Sequence, residues 1–349
     1  MKVLHILQSN SFSGAENVVF QIITGLRKNG VESVYCSRDG QIRKFLTDNG
    51  IDFEPVYSMS KKEISRVIDK VKPDVIHAHD RSASLLSATC ASKIPIVVHM
   101  HVNNNKGISL LIKNAMWTLF SRKFNHIFWV SKSSFDGFQF RGLLKKKSSV
   151  LYNVMDGSLT IGKAEEETEQ NGYDVLYVGR LTHQKNPERL MSVIKSLCEK
   201  KNDIRIAIAG SGDYAGYVET FIADYNLENQ VDYLGYTNKP LPLIKRSKAM
   251  IMTSRFEGTP MVAIEAQILG TPIVSTPVDG MLDVIENGVN GFLSDKDEEL
   301  VERILDILSD DTLREKLRVG CIEKSKRFTD IDGYCDVIYS QYITAIEKH

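Results

Sequence analysis

Cysteine is scarce, with five in 349 residues at positions 36, 90, 198, 321 and 335, an odd number without a CxxC pair. That argues against a disulfide framework and a cysteine-based zinc knuckle, and it fits a reducing compartment. Long hydrophobic runs are missing too. The opening MKVLHILQSN carries one lysine and a short apolar stretch interrupted by polar residues, so neither a secretory leader nor a membrane span is expected. A cytoplasmic location follows as the expectation. A complete GxGxxG is also lacking. After the first apolar run only Gly14 stands in SNSFSGAENVVF, and GSGDYAG at 210–216 reads as a strand-ending turn rather than a cofactor loop. The whole chain has no excess charge of either sign, with 44 Lys+Arg against 44 Asp+Glu.

That balance hides a polar distribution. Residues 1–160 hold 22 Lys+Arg against 12 Asp+Glu, a net charge of +10, and the remainder carries −10. With 42% hydrophobic and 25% charged residues, the chain has the composition of a globular protein, and its length suits two domains. The asymmetry points to domains with different partners, the basic one suited to phosphates or an anionic membrane face.

Short β-rich runs recur at 2–7, 31–36, 74–79, 94–101 and 126–131, each followed by a helix-period segment. The rhythm restarts after the polar stretch 162–172, with runs at 174–179, 204–210, 231–235, 249–254 and 271–276. This alternation predicts an α/β chain of two doubly wound parallel sheets. The expected boundaries are 1–165 and 172–328, with a helix over 329–349 packing back on the first domain. Strands buried on both faces put ligands at their carboxyl ends, so the residues just after each strand carry the chemistry.

The most informative of those ends is Gly179-Arg180-Leu181-Thr182-His183-Gln184-Lys185-Asn186-Pro187. A strand runs into Arg180, Lys185 follows five residues on, and a proline opens a helix; two cations beside a helix start can hold a diphosphate. Farther on, MTSRFEGTPMVAIEAQILG places Glu257 after a strand and Glu265 eight residues later. Eight residues are just over two helical turns, which returns the second carboxylate to a similar face. Glu265 sits within the apolar MVAIEAQIL, so it needs a hydroxyl or a cation as partner.

Glu-x7-Glu together with GRL-x3-K resembles the retaining, GT-B fold nucleotide-sugar glycosyltransferases of family four. The resemblance spans nearly the whole chain, because SGAE (13–16), DVIHAHD (74–80), VSKSS (130–134), VLYNVMD (150–156) and NGVNGFL (287–293) match the other family landmarks in order. It implies two Rossmann-like domains facing a cleft, the first binding acceptor and the second the nucleotide sugar. It implies that Arg180 and Lys185 neutralise the donor diphosphate, that Glu265 accepts hydrogen bonds from the ribose, and that Glu257 meets the transferred sugar. Backbone at Gly258, Thr259 and Met261 would hold sugar hydroxyls and phosphate. Gly14 would let backbone approach the diphosphate, and His101 would sit near the sugar and phosphate. Ser13 replaces the first of two usual glycines and Val154 the glycine of NGVD, so the donor loops differ in shape from the family pattern.

The expected reaction is retaining transfer of a sugar, UDP-linked by preference, to a glycan or lipid-linked glycan hydroxyl in bacterial surface polysaccharide or glycolipid synthesis. No cofactor, metal or nucleic-acid partner is expected. An epimerase on the same architecture and a non-catalytic nucleotide-sugar binder are the alternatives. His77, His79, His99 and His101 form two HxH pairs whose alternate residues share a face, and four imidazoles there could hold zinc. Neutral histidines also satisfy strand-end hydrogen bonds, and that is the expectation. The triplets Asp295-Lys296-Asp297 and Asp330-Ile331-Asp332 are expected to be helix caps. The stretch 108–124, followed by Arg141, Lys145, Lys146 and Lys147, combines apolar side chains with cations and suits either a core-facing helix or peripheral contact with an anionic membrane.

Overall fold

A computed structural model describes residues 1–11, 14–91, 93–101, 108–166 and 172–349. Its contacts divide the chain into one unit of Met1–Val154 with Asp330–His349 and another of Met155–Thr329.

The first unit is built on a seven-stranded parallel sheet. Its strands are β1 (Lys2–Ile6), β2 (Glu32–Cys36), β3 (Asp52–Phe53), β4 (Val75–Ala78), β5 (Ile96–Met100), β6 (His126–Trp129) and β7 (Ser148–Val150), in spatial order 3-2-1-4-5-6-7. Runs such as VIHA and IVVHM are buried at every position, as a parallel sheet covered on both faces requires. Leu4, Ile6, Ile76, Val98, Ile127 and Trp129 belong to one apolar core in this unit. β3 and β7 were not foreseen. One is two residues long, and the other is SSV directly after three lysines, so neither carries an apolar run.

The second unit repeats the plan with six parallel strands, β8 (Val175–Val178), β9 (Ile206–Ala209), β10 (Val231–Gly235), β11 (Ala249–Met252), β12 (Ile273–Ser275) and β13 (Gly291–Leu293), in order 10-9-8-11-12-13. Its core gathers Val175, Ile194, Ile206, Ile251, Val274 and Ile304. β13 lies inside the NGVNGFL segment, where glycine and asparagine hide the strand pattern.

Several boundaries shift. The division falls after Val154 rather than after residue 165, because the helix Gly157–Ala164, which extends into the stretch read as a polar connector, packs on the helices Pro240–Arg246 and Met261–Leu269 of the second unit. The helix Ile331–Glu347 lies in the first unit, against the helix Gly14–Leu26 and strands β4 and β5. Asp330 caps it by accepting from the Gly333 amide at 2.9 Å. The other acidic triplet behaves differently. Asp297 is the first residue of the helix Asp297–Ser309, whose N-cap is Lys296, and its carboxylate is held by Arg189 Nε at 2.5 Å. A charge-assisted bond to arginine takes the place of capping there.

Candidate active site

In the second unit strand order reverses between β8 and β11, so the loops leaving these neighbouring strands run apart above a shared crevice. β8 ends at Val178; Gly179 and Arg180 follow, then a single turn over His183–Lys185. Asn186 takes φ 58°, a left-handed conformation that asparagine tolerates, and Pro187 opens the helix Pro187–Lys200. The GSG turn braces this loop from below. Leu181 donates its amide to the Ser211 carbonyl at 2.9 Å, and Tyr214 donates to the Leu181 carbonyl at 3.1 Å. A β-carbon on Gly210 would stand 1.8 Å from the Gly179 carbonyl oxygen, so the close approach demands glycine.

The loop after β11 is tied to it. Thr253 donates its hydroxyl to the Lys185 and Asn186 carbonyls at 3.3 and 3.2 Å, and the Arg255 amide donates to the Gln184 carbonyl at 2.8 Å. At the junction Lys185 Nζ lies 2.5 Å from Glu257 Oε1. Ser254 Oγ donates to the same oxygen at 2.5 Å, and Gln184 Nε2 reaches Oε2 at 3.4 Å. Glu257 is only 4% exposed, and a carboxylate taken so far from water needs this company. Arg180 differs. Its carbonyl accepts from the Tyr177 hydroxyl at 3.3 Å, which fixes its backbone, while its side chain is exposed and makes no ion pair among the described residues.

Past Glu257 the chain turns through Gly258, Thr259 and Pro260. Gly280 comes so near that its β-carbon would lie 1.4 Å from the Gly258 carbonyl oxygen, and its amide donates to the Glu257 carbonyl at 3.4 Å. Thr259 is buried, and Met261 is the first residue of the helix Met261–Leu269, whose first-turn amides have no carbonyl of their own helix to bond. Glu265 lies one turn farther along. Burial pushes its carboxyl up to about 7, opposed by the charge of Lys163 on the helix Gly157–Ala164. Its oxygens make no hydrogen bond among the described residues.

The structure therefore joins Lys185 and Glu257 directly and places Arg180, Gly258, Thr259, Met261 and Glu265 on the same two loops and the helix that follows. Gly14 and His101 belong to the other unit. Gly14 begins the helix Gly14–Leu26 and is exposed; Ser13 lies outside the described residues. His101 follows β5, and its Nε2 bonds Nδ1 of His79 at 3.2 Å. Sequence reasoning missed Gln184, Ser254 and Lys163. The first two stand inside the quoted segments, and the rule that a buried carboxylate needs polar partners was the signal that could have found them.

Comparison with known proteins agrees with this layout. Residues 161–327 match the family model described as Glycosyl transferases group 1, and residues 12–158 match that described as Glycosyltransferase Family 4. Over 120 residues, 34% of this chain and 30% of the relative, the sequence is 35% identical to an uncharacterized glycosyltransferase of Methanocaldococcus jannaschii. It is 23% identical to the Escherichia coli UDP-Gal:alpha-D-GlcNAc-diphosphoundecaprenol alpha-1,3-galactosyltransferase, over 99% of this chain and 97% of that protein. Among solved structures, Anabaena Alr3699/HepE in complex with UDP has a TM-score of 0.87 at 20% identity, covering 99% of this chain and 100% of that one. The same protein with UDP-glucose gives 0.85 at 21%, covering 97% and 99%.

Two parallel-sheet units of this kind, with a cation and carboxylate cluster at one switch point, define a glycosyltransferase of the GT-B class. The chain belongs to the family 4 glycosyltransferases, and it is a transferase rather than an epimerase or a non-catalytic binder.

Proposed function

We propose that the protein transfers a hexosyl group from a UDP-sugar, with retention of configuration, to a hydroxyl of a glycan or lipid-linked glycan acceptor in surface polysaccharide or glycolipid synthesis. The observation that carries the donor assignment is Glu265. A carboxylate held in an apolar helix, pushed up to about 7 and without a hydrogen-bond donor among the described residues, is completed by a ligand that brings hydroxyls, as a ribose diol does. Support for uridine comes from HepE, solved with UDP and UDP-glucose, and from the E. coli relative named for UDP-Gal.

The chemistry follows from the charges. Exposed Arg180 turns onto the diphosphate, and Lys185, already oriented by Glu257, which Ser254 holds, supplies a second cation. The first-turn amides at Met261 add the positive end of a helix. As the anomeric carbon's bond to the phosphate oxygen breaks, its electron pair goes to that oxygen, where these groups stabilise it. The acceptor oxygen bonds to the same face of the carbon, and its proton passes to the departing phosphate. Glu257 orients Lys185 and meets a sugar hydroxyl; a role for His101 and Gly14 toward the sugar and the diphosphate is what the family resemblance implies. With two cations and a helix start at the leaving group, the reaction needs no divalent metal.

The acceptor chemistry and a surface patch support contact with an anionic membrane. Ile112, Met116 and Leu119 are exposed and spaced four and three apart on the helix Ile108–Phe120, while Trp117 on the same helix is fully buried. No acidic residue occurs between Asp80 and Asp136, and Lys145, Lys146 and Lys147 follow exposed Leu143. Apolar side chains flanked by cations suit an anionic bilayer. No helix of the described residues is long and apolar enough to cross one.

Thermal-shift titration with UDP, GDP, ADP and their sugars tests the donor, since a ligand of the folded state raises its apparent stability. Stabilisation by UDP and UDP-hexoses is expected; none by any nucleotide would sink the assignment. The anomeric configuration of the product, read by NMR, tests retention. Flotation with phosphatidylglycerol vesicles, lost in Met116→Glu and absent with phosphatidylcholine, tests the membrane.

A further inference from the structure

The sheet of the first unit carries a layer of imidazoles that sugar transfer leaves unexplained. His5 on β1 is register-paired with His77 on β4, and His79, His99 and His101 continue the layer toward the strand ends. Their rings lie in sequence against one another, at 5.3 Å between His5 and His79, 5.4 Å between His79 and His101, and 4.5 Å between His99 and His101. His5, His77, His79 and His99 are buried and His101 partly so. Three of the rings bond in line. His5 Nδ1 meets His79 Nε2 at 3.0 Å, and His79 Nδ1 meets His101 Nε2 at 3.2 Å. His77 leaves the line, its Nδ1 bonding the Tyr342 hydroxyl of the C-terminal helix at 2.6 Å. The line starts where the first sheet reverses its strand order, between β1 and β4.

Among the described residues, Tyr342 and Tyr334 of the C-terminal helix and His126 and Phe128 of β6 face this layer. The charges that bear on His77, His79 and His99 are those of other imidazoles. Burial holds His5 and His101 down at about 3, so the rings are neutral at physiological pH. Nitrogens of His5, His77 and His79, and of His79, His99 and His101, lie within 4.8 Å of one another, close enough for an ion to gather. A dication there would be sealed from water among imidazoles, whose charges are the ones that bear on these rings, an expensive arrangement. Neutral rings that bond each other avoid that cost.

We propose that His5, His79 and His101 act as one hydrogen-bonded chain, in which His5 and His79 are positioning residues that set which nitrogen of His101 carries its proton. The proton count forces the coupling. Each neutral ring has one N–H and one lone pair. If His79 donates from Nε2 to His5 Nδ1, its Nδ1 must accept, so His101 is protonated on Nε2 and offers a lone pair at Nδ1. If His79 donates from Nδ1, His101 accepts at Nε2 and carries N–H at Nδ1, while His5 is protonated on Nδ1. With both links made, the chain has only these two states. A phosphate oxygen accepting at His101 Nδ1 selects the second and fixes a proton two rings away, on His5 of β1. This bearing on catalysis rests on the role given to His101 above; the chain itself does not.

The experiment uses the full-length protein labelled with [15N]histidine. Couplings between 15N nuclei across both hydrogen bonds are expected in the wild type, with all three rings neutral from pH 5.5 to 8 and a common change of tautomer on adding UDP. His79→Leu should leave His101 with mixed tautomers and lower kcat about tenfold, the worth of one hydrogen bond, at unchanged KM. His79→Asn, which keeps a donor near the Nδ1 position, should recover most of both and guards against a folding defect. Absent couplings, rings that titrate near 6.5, or a stoichiometric metal in the purified protein would overturn the chain. Couplings present while His101→Ala leaves transfer untouched would support the chain and remove His101 from the reaction; couplings absent while His101→Ala slows transfer would do the reverse.

Discussion

The two units share a plan and differ in what stands at their switch points. Between β1 and β4 the first unit sets imidazoles against imidazoles; between β8 and β11 the second sets a lysine against a glutamate and leaves an arginine exposed. Seven of the eight histidines belong to the first unit, which carries 23 Lys+Arg against 15 Asp+Glu. The second has one histidine and 21 against 29. The same Rossmann-like frame thus holds a neutral, self-bonded polar layer in one copy and a charged one in the other. Position at the strand ends is common to both, and the side chains decide the electrostatics.

The sharpest way to separate the units is acid. A histidine pushed down by burial stays neutral in the native state while the unfolded chain takes up protons below about 6.5, so its stability is complete above that pH and falls as pH drops toward the folded value of about 3. At pH 5 each such ring costs about 2 kcal/mol, from 1.36 kcal/mol per pH unit. Hydrogen exchange resolved by peptide should show β1, β4 and β5 losing protection between pH 6.5 and 5 before any strand of the second unit. Simultaneous loss would erase the contrast.

Next in size is Lys185→Ala, which strips the diphosphate of a cation and leaves Glu257 buried beside Ser254 without its ion partner. Transfer should slow roughly 100 to 1,000-fold. Arg180→Ala should cost roughly 10 to 100-fold with an unchanged melting temperature, because its side chain is exposed and unpaired among the described residues. Steady-state kinetics beside melting curves distinguish the two; equal melting shifts would contradict the burial difference.

Glu265→Gln probes the opposite pH sign. A carboxyl raised from 4.5 to about 7 by burial carries no charging penalty below 4.5 and the full penalty above about 7. Removing the charge should stabilise the ligand-free protein by up to about 3 kcal/mol near pH 8, with the gain vanishing near pH 4.5. UDP binding by calorimetry should weaken in the same variant. A variant that is less stable at pH 8 would place the carboxylate in a paired environment. The smallest expected effect is none: initial rates after exhaustive EDTA treatment should match untreated enzyme, and loss restored by magnesium would bring a metal to the leaving group.

Ten of the thirteen strands among the described residues were legible because apolar runs bounded by turns state their burial directly. The Lys185–Glu257 junction was half legible. Two loops quoted separately contained it, but nothing in one dimension says that Ser254 and Gln184 close on the same carboxylate. His5 escaped the histidine pairs because it lies 72 residues from His77, and only the parallel register of β1 with β4 makes them neighbours. Asp297 read as a cap because a short acidic triplet before a helix suits capping and pairing equally; Arg189, 108 residues away, decides it.

The C-terminal helix has a consequence for synthesis. Residues 155–329 form an unbroken unit, whereas Met1–Val154 is completed by Asp330–His349, which the ribosome delivers after the second unit. At about 5–20 residues per second, the second unit takes roughly 9 to 35 seconds to make, and through that time the first unit lacks Tyr342 over His77. The first unit, begun before the second, is therefore completed only after the second has been made. Until that helix arrives, a nascent chain lacks the hydroxyl that bonds His77.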